Sequence, residues 1–391
     1  MTSTAPLILR RLAAICARTL VALVLATTLA PNDATAQGAP KAQQKGAPKA
    51  APPPGAGQQP APGVRQQGQD VPFGQVSQLN PNDEITTDPR QRMRNLIADI
   101  SAYTRSANPG FVIVTYDGLN LLERVDPVDP SKRAPAATYI SAIDGFVVPE
   151  LNFHPPNERG DIKTEDKMRD EMLRLADIGQ KRGLRVWSID YAKDAAMASE
   201  SIKFALSKSY IPFPSRDADY RFARLPPGRP INENPHAITG LNHVKNFLML
   251  TDTSAWDTQE EFALAIGNTN YDAVVIDVFH RGRMPMTVRT IDSLKYKKLG
   301  TRRLVLAHID IGRVDSSRYY WKPGWHEGSP AFIAAPTDNN PDKYTVQYWD
   351  PAWRDIIFGN PNSYVYGILA QGFDGVVLDG VESFRFFEGE Q

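Results

Sequence analysis

Three segments of this chain repeat one pattern: AIDGFVV (142–148), NYDAVVI (270–276) and GFDGVVL (372–378). Each is an apolar residue, an aspartate, a small residue and then an aliphatic run. Recurrent strand entries of this kind indicate a repeated βα unit. Near-continuous Val/Ile/Leu runs indicate parallel strands covered on both faces. Eight core strands are predicted at 111–118, 145–151, 184–192, 246–251, 272–279, 303–311, 344–350 and 375–381. Helix signals fall between them. Asp88-Pro89 opens a stripe of Met93, Leu96, Ile97 and Ile100, and Thr164 precedes Met168, Met172 and Leu175. Asp257 with Glu260 resembles a capping box, Thr287 or Thr290 opens another helix, and a last one runs through Ile368 to Gly372. Alternating β and α in this number predicts a (β/α)8 barrel, with an open doubly wound sheet as the alternative.

The 391 residues exceed what one barrel needs, and the surplus lies at the start. Residues 1–36 run from Arg10, Arg11 and Arg18 through LVALVLATTLA to Ala34-Thr35-Ala36, the charged, apolar, small-residue order of a secretory signal peptide. The apolar stretch is short for a membrane span, so a secreted or periplasmic protein without stable membrane insertion is expected, an uncleaved anchor being the alternative. Residues 37–85, rich in Pro, Ala, Gly and Gln, read as a disordered arm that cannot bury enough surface to order itself. The barrel is assigned to 86–391. Cys16, the sole cysteine, lies in the leader, so disulfides and thiolate metal sites are not expected. Acidic and basic residues balance at 44 each with no basic stripe, which argues against nucleic acid as a partner. A GxSxG elbow, a Walker loop, an HExxH pair and a dinucleotide fingerprint are all missing, and no cofactor or metal is expected.

Barrel enzymes draw their reactive groups from the C-terminal ends of strands. Here those ends carry Asp117, Glu150, Asp190, Asp277, Asp310 and Asp379. Unpaired buried carboxylates are costly, so six on one rim imply a wet, acidic cavity that binds hydroxyls or cations. Asp144, Asp272 and Asp374 sit at strand starts and read as turn or cap residues. Asp277, Asp310 and Asp379 are favoured as site residues, whereas Asp117 and Asp190 fit equally a role in bridging strand ends. Arg313 and Arg318 would hold acids ionised or grip substrate. Asp315 and Glu382 lie in loops above, and His308 reads as a packed histidine. Tyr319, Tyr320, Trp321, Trp325, Tyr348, Trp349 and Trp353 are either sugar platforms or a lid on the rim.

The segments YDAVVIDVF, RRLVLAHIDIGRVDSSRYYW, YTVQYWDPAW and GFDGVVLDGVESF resemble glycoside hydrolase family 114, the endo-α-1,4-polygalactosaminidase group of secreted (β/α)8 proteins. In that family they occur in this order as barrel strands two to five. PGFVIVTYDGLNLL, AIDGFVVPELNF and LRVWSIDYAKD resemble strands six to eight, and NFLMLTDTSAW resembles strand one. The resemblance therefore implies a circularly permuted barrel ordered six, seven, eight, one to five, with the Pro- and Arg-rich stretch 211–235 joining the former ends. Where the family's third strand ends in a glutamate expected to do chemistry, this chain has Arg313. The family's seventh-strand glutamate falls on Pro149, with Glu150 one step along, and Asp117 stands where an asparagine is usual, whereas Asp277 and Asp379 match.

The function this resemblance implies is hydrolysis of an extracellular amino-sugar polysaccharide. Two carboxyls must flank the bond, about 5–5.5 Å apart for retention or about 6.5–9.5 Å for inversion. Asp277 is expected as nucleophile or stabiliser with Asp310 as acid/base, beside Asp379. Asp117, Glu150, Asp190, Arg313, Asp315, Arg318, Tyr320, Trp321 and Trp349 are expected to bind substrate. The alternative is a non-catalytic carbohydrate binder that lost its acid at Arg313, and a third reading is a tethered assembly factor.

Overall fold

The computed structural model describes residues 88–156, 160, 162–217, 220–337 and 340–389. The leader and the Pro-rich arm expected from the sequence lie outside the described residues. Eight parallel strands form one sheet: β1 (Val112–Tyr116), β2 (Gly145–Pro149), β3 (Arg185–Tyr191), β4 (Ile211–Ser215), β5 (Phe247–Leu250), β6 (Ala273–Asp277), β7 (Leu304–Asp310) and β8 (Gly375–Asp379). Their spatial order is β4-β3-β2-β1-β8-β7-β6-β5, so consecutive strands are neighbours and β8 returns to pair with β1. This is a nearly closed (β/α)8-type barrel, open in hydrogen bonding between β4 and β5 alone. Such a cyclic order looks the same from any starting strand.

Seven of the eight expected strands are in place, and one assignment was wrong. YTVQYWD is not a barrel strand: Asn340–Val346 lies in a three-stranded antiparallel sheet with Arg313–Asp315 and Ile333–Thr337. The eighth barrel position belongs to Ile211–Ser215, which the sequence reading had placed in the connecting stretch. Its Pro212 and Pro214 explain both the oversight and the open seam. In a strand, the N–H and C=O of one residue point to the same side, and Ser215 offers its carbonyl to Ala192 at the end of β3. Pro212 and Pro214 therefore face β5, where a proline has no N–H to give. The seam is filled by rings instead: Phe247 of β5 stacks on Trp187 of β3 at 4.2 Å and meets Phe213 of β4 at 5.4 Å.

The helices follow their caps. Pro89–Ala107 opens on Asp88, whose carboxylate accepts from the Arg90 amide, with proline at the first position. The capping box of Gln259–Gly267 is Thr258 with Glu261, one residue on from the expected pair. Thr287 caps Val288–Leu294 as expected. Thr164 does not cap Asp166–Gln180; its hydroxyl donates to the Glu150 carbonyl. At the N-terminal rim, Lys297 and Asp272 form a fully buried ion pair at 2.5 Å, and Lys297 Nζ also reaches the carbonyls of Asn234 and His236. That pair fastens the 221–240 stretch beneath the barrel. Asp144 and Asp374 likewise accept backbone amides, of Ile113 and Val305, as expected of strand-start aspartates. Among the described residues no helix is long and apolar enough to cross a membrane.

Candidate functional site

Parallel register sets which acids meet. His308 of β7 lies opposite Asp277 of β6 and Val377 of β8, whereas Asp310 lies opposite Asp379. The structure therefore brings Asp310 together with Asp379, not with Asp277. Glycine makes the contact close. A side chain on Gly380, which has φ +72°, would collide with Asp310 Oδ1, and one on Gly312 would strike the Gly380 carbonyl.

Arg313 sits at the centre of this cluster. Its Nε donates to Asp310 Oδ2 at 2.7 Å, its Nη2 to Asp379 Oδ1 at 2.9 Å, and its Nη1 lies 3.4 Å from Glu382 Oε1. His308 Nε2 stands 3.1 Å from Asp379 Oδ2, and Lys343 Nζ 3.5 Å from Asp310 Oδ2. Burial works against ionisation of Asp379, yet Arg313, His308 and Lys343 outweigh it and hold the carboxyl well below the usual carboxylate range. Glu382, three residues on, goes the other way. Burial pushes it up to about 8; Arg313 pulls it down, and the charges of Asp379 and Asp117 add to the rise. Its Oε2, like Arg385 Nε, is buried without a hydrogen-bond partner among the described residues. One guanidinium thus touches both an ionised and a proton-retaining carboxyl.

The opposite side of the mouth is built from β1 to β3. Asp117 and Glu150 follow β1 and β2 directly, and both adopt left-handed backbone, φ +63° and +57°. Non-glycine residues pay for that conformation, and such strain concentrates at functional sites. Burial raises both carboxyls, opposed at Asp117 by Arg385 and at Glu150 by the Tyr220 hydroxyl, which donates to Oε1 at 2.5 Å. Tyr191 meets Tyr220 edge-on at 4.9 Å, and its hydroxyl is 3.5 Å from that of Tyr116. Burial holds the Tyr116 hydroxyl neutral, and the carboxylates of Asp379 and Glu150 both reinforce it, so the two sides share one mouth. A cavity of about 600 Å³ opens at Glu150, lined also by His154, Lys163, Thr164, Glu165 and Met168.

The remaining expected residues each have partners of their own. Asp190 is fully committed: its carboxylate accepts from the amides of Asn152 and Phe153, the Asn152 side chain and the Ser201 hydroxyl. It ties the loop after β2 to the helix Ala195–Ser207. Asp277 is gripped through both oxygens by Arg318, at 2.9 and 2.7 Å. Asp315 accepts from Ser317, and the buried Tyr320 hydroxyl accepts from the Asp315 amide. Half-buried Trp321 stacks on Tyr344 of the antiparallel sheet at 5.6 Å. Trp349 lies under Arg92 and packs against Phe387. Among the aromatics at β6 and β7 Tyr319 is the most open, ringed by Phe279, Tyr320 and Tyr364.

Sequence reasoning gave no site role to Tyr116, Tyr191, Tyr220, Lys343 or Arg385. Tyr116 had a signal, standing one residue before a strand-end acid. Lys343 had none, since a hairpin brings it over the mouth. Among the described residues, no three His, Cys, Asp or Glu side chains are grouped to hold a metal ion.

No family model matches the chain. Curated relatives are uncharacterized proteins. One from Methanocaldococcus jannaschii is 31% identical over 169 residues, covering 40% of this chain and 46% of the relative. One from Deinococcus radiodurans is 29% identical over 121 residues, 31% of this chain and 36% of the relative. One from Thermotoga maritima is 33% identical over 85 residues, 22% and 25% respectively. The chain thus spans less than half the length of the curated relatives it matches.

Proposed function

We propose that this chain is an exported glycoside hydrolase of the family 114 type, cleaving an extracellular polysaccharide with Asp379 and Glu382 as its carboxyl pair. What carries this reading is that one guanidinium, Arg313, holds both Asp379 and Glu382 in surroundings that push their carboxyls in opposite directions. Two carboxyls whose surroundings drive them apart are the pattern of an acid and its ionised partner. Asp379 would attack the anomeric carbon through Oδ2, whose one hydrogen-bond partner among the described residues is His308, and Glu382 would protonate the leaving oxygen. Arg313, in place of the family's glutamate, keeps Asp379 ionised. Tyr319, the open member of its aromatic cluster, would stack against a sugar ring. Asp277 remains in the site as the anchor of Arg318.

The circular permutation belongs to the same proposal, with its numbering revised. Once Ile211–Ser215 replaces YTVQYWD in the barrel, the chain's strands correspond to family strands five to eight followed by one to four. The short stretches shared with the curated relatives fit this, since a linear alignment of permuted chains can follow only one of the two blocks.

The test is release of reducing ends from a panel of polysaccharides by the purified protein. Asp379→Asn and Glu382→Gln should each lower turnover by about 10²–10⁴-fold, the size of an acid–base contribution. Unchanged turnover in both would sink the assignment. A second reading, a glycan binder without turnover, draws on the ion pairing of Asp277, Asp310 and Asp379. It predicts saturable binding, no cleavage, and the same affinity in both variants.

A further inference from the structure

We propose that the glycan taken by this mouth bears an acidic group, a carboxylate or a sulfate ester, and no free amine; this rests on the glycan-directed reading above. An ammonium ligand needs a carboxylate with an uncompensated charge, and around β6 to β8 the carboxylates have been compensated by the protein itself. Both oxygens of Asp277 are taken by Arg318. Asp310 gives Oδ2 to Arg313 Nε and accepts the amides of Gly312 and Arg313 on Oδ1. Asp379 gives Oδ1 to Arg313 and the Gly380 amide, and Oδ2 to His308.

What is left over is cationic. Arg313 Nη1 has only the distant Glu382 oxygen at 3.4 Å. Lys343 Nζ stands 3.5 Å from an Asp310 oxygen that already accepts Arg313, and its side chain is 29% exposed. Arg385 adds a buried Nε with no partner among the described residues. Facing these three cations are Asp310 and Asp379 as charged acids, Glu382, which burial disposes to keep its proton near neutrality, and Asp117 after β1, whose carboxyl burial also pushes up against the pull of Arg385. A planar carboxylate or sulfate oxygen pair suits a guanidinium edge joined by an ammonium. The chain as a whole has no net charge, so an attraction for anions would have to be local.

The full-length protein is tested by affinity electrophoresis and calorimetry against polygalacturonate, dextran sulfate, neutral dextran and deacetylated polyglucosamine. Binding to one of the polyanions should exceed binding to the other two polymers at least tenfold, and the stronger polyanion identifies the acid group. Lys343→Gln and Arg313→Gln should each weaken that binding at least tenfold; if Arg313→Gln does not fold, Lys343→Gln decides alone. Preference for the polyamine or for neutral dextran overturns the inference and leaves the glycan-directed function standing. Polyanion binding unchanged in the folded variants also overturns it. Binding to none of the polymers removes the functional reading and this inference together.

Discussion

Arg313 alters the chemistry of every group it touches. A guanidinium stays charged across the accessible pH range and cannot donate a proton in catalysis, so it converts nearby acids into fixed partners. Glu382 escapes that pull because burial and two neighbouring carboxyls act on it together. The consequence is measurable as stability. Its folded value of about 8 lies above the ordinary 4.5, so between those pH values the native state keeps a proton that the unfolded chain has lost. Stability from this group is therefore fully present below about pH 4.5, falls as pH rises, and levels off above pH 8. Glu382→Gln keeps the shape without the ionisation. Urea denaturation should find variant and wild type within about 1 kcal/mol at pH 5, with the variant more stable by about 4 kcal/mol at pH 8.5. Curves that stay parallel across that range would show that Glu382 ionises normally. Asp190 shows the opposite outcome for a strand-end acid. Four donors saturate its carboxylate, so it serves the loop after β2 and leaves nothing for a ligand.

Among the elements, β4 is the weakest member of the barrel by construction. Its two prolines remove both donors that would face β5, leaving ring packing of Phe213, Phe247 and Trp187 to close the wall. Local opening follows the least-bonded element, so hydrogen exchange should run fastest in β4 and β5 and slowest in β7 and β8, which are paired on both sides. Uniform protection around the sheet would contradict this. The same prolines mark where sequence reading stopped. Runs such as AVVID and GVVLD announce buried parallel strands because both faces demand aliphatic residues. IPFPS reads as a connector because proline is normally barred from sheet interiors, and only the seam position permits it. YTVQYWD misled in the other direction, since alternating aromatic and polar residues suit an antiparallel hairpin as well as a barrel strand. For the site, strand ends were legible because side-chain alternation fixes which face an acid takes. Pairings across the mouth were not, because they depend on register: Asp310 meets Asp379 rather than Asp277 through a two-residue offset that no single strand reveals.

At the scale of the molecule, the two ends of the described chain are joined physically. Arg90 donates to Glu388 at 2.8 Å and covers the Phe384 ring, while Arg92 lies over Trp349, which itself packs on Phe387. Touching ends are what a closed barrel needs to be cut and rejoined without disturbing its strand pairings. The connecting stretch offers the reciprocal site. Gly228 is exposed, holds φ +89° and has open space around its Cα, and the buried Lys297 anchor grips the chain only further on, at Asn234 and His236. If the present order is a permutation, a chain running from 229 to 389, through a short Gly/Ser link, then from 88 to 228 should restore the relatives' arrangement. Two measurements bear on it. The rearranged protein should fold with a cooperative denaturation midpoint close to that of the original 88–389 segment, because every strand pair and the Lys297–Asp272 anchor survive. Its sequence should also align with the Methanocaldococcus jannaschii protein over well beyond the present 46% of that relative. A rearranged chain that folds but gains no alignment would leave the barrel intact and dispose of the permutation, since closure alone tolerates new ends at many loops whereas shared descent requires the two blocks to match in the exchanged order.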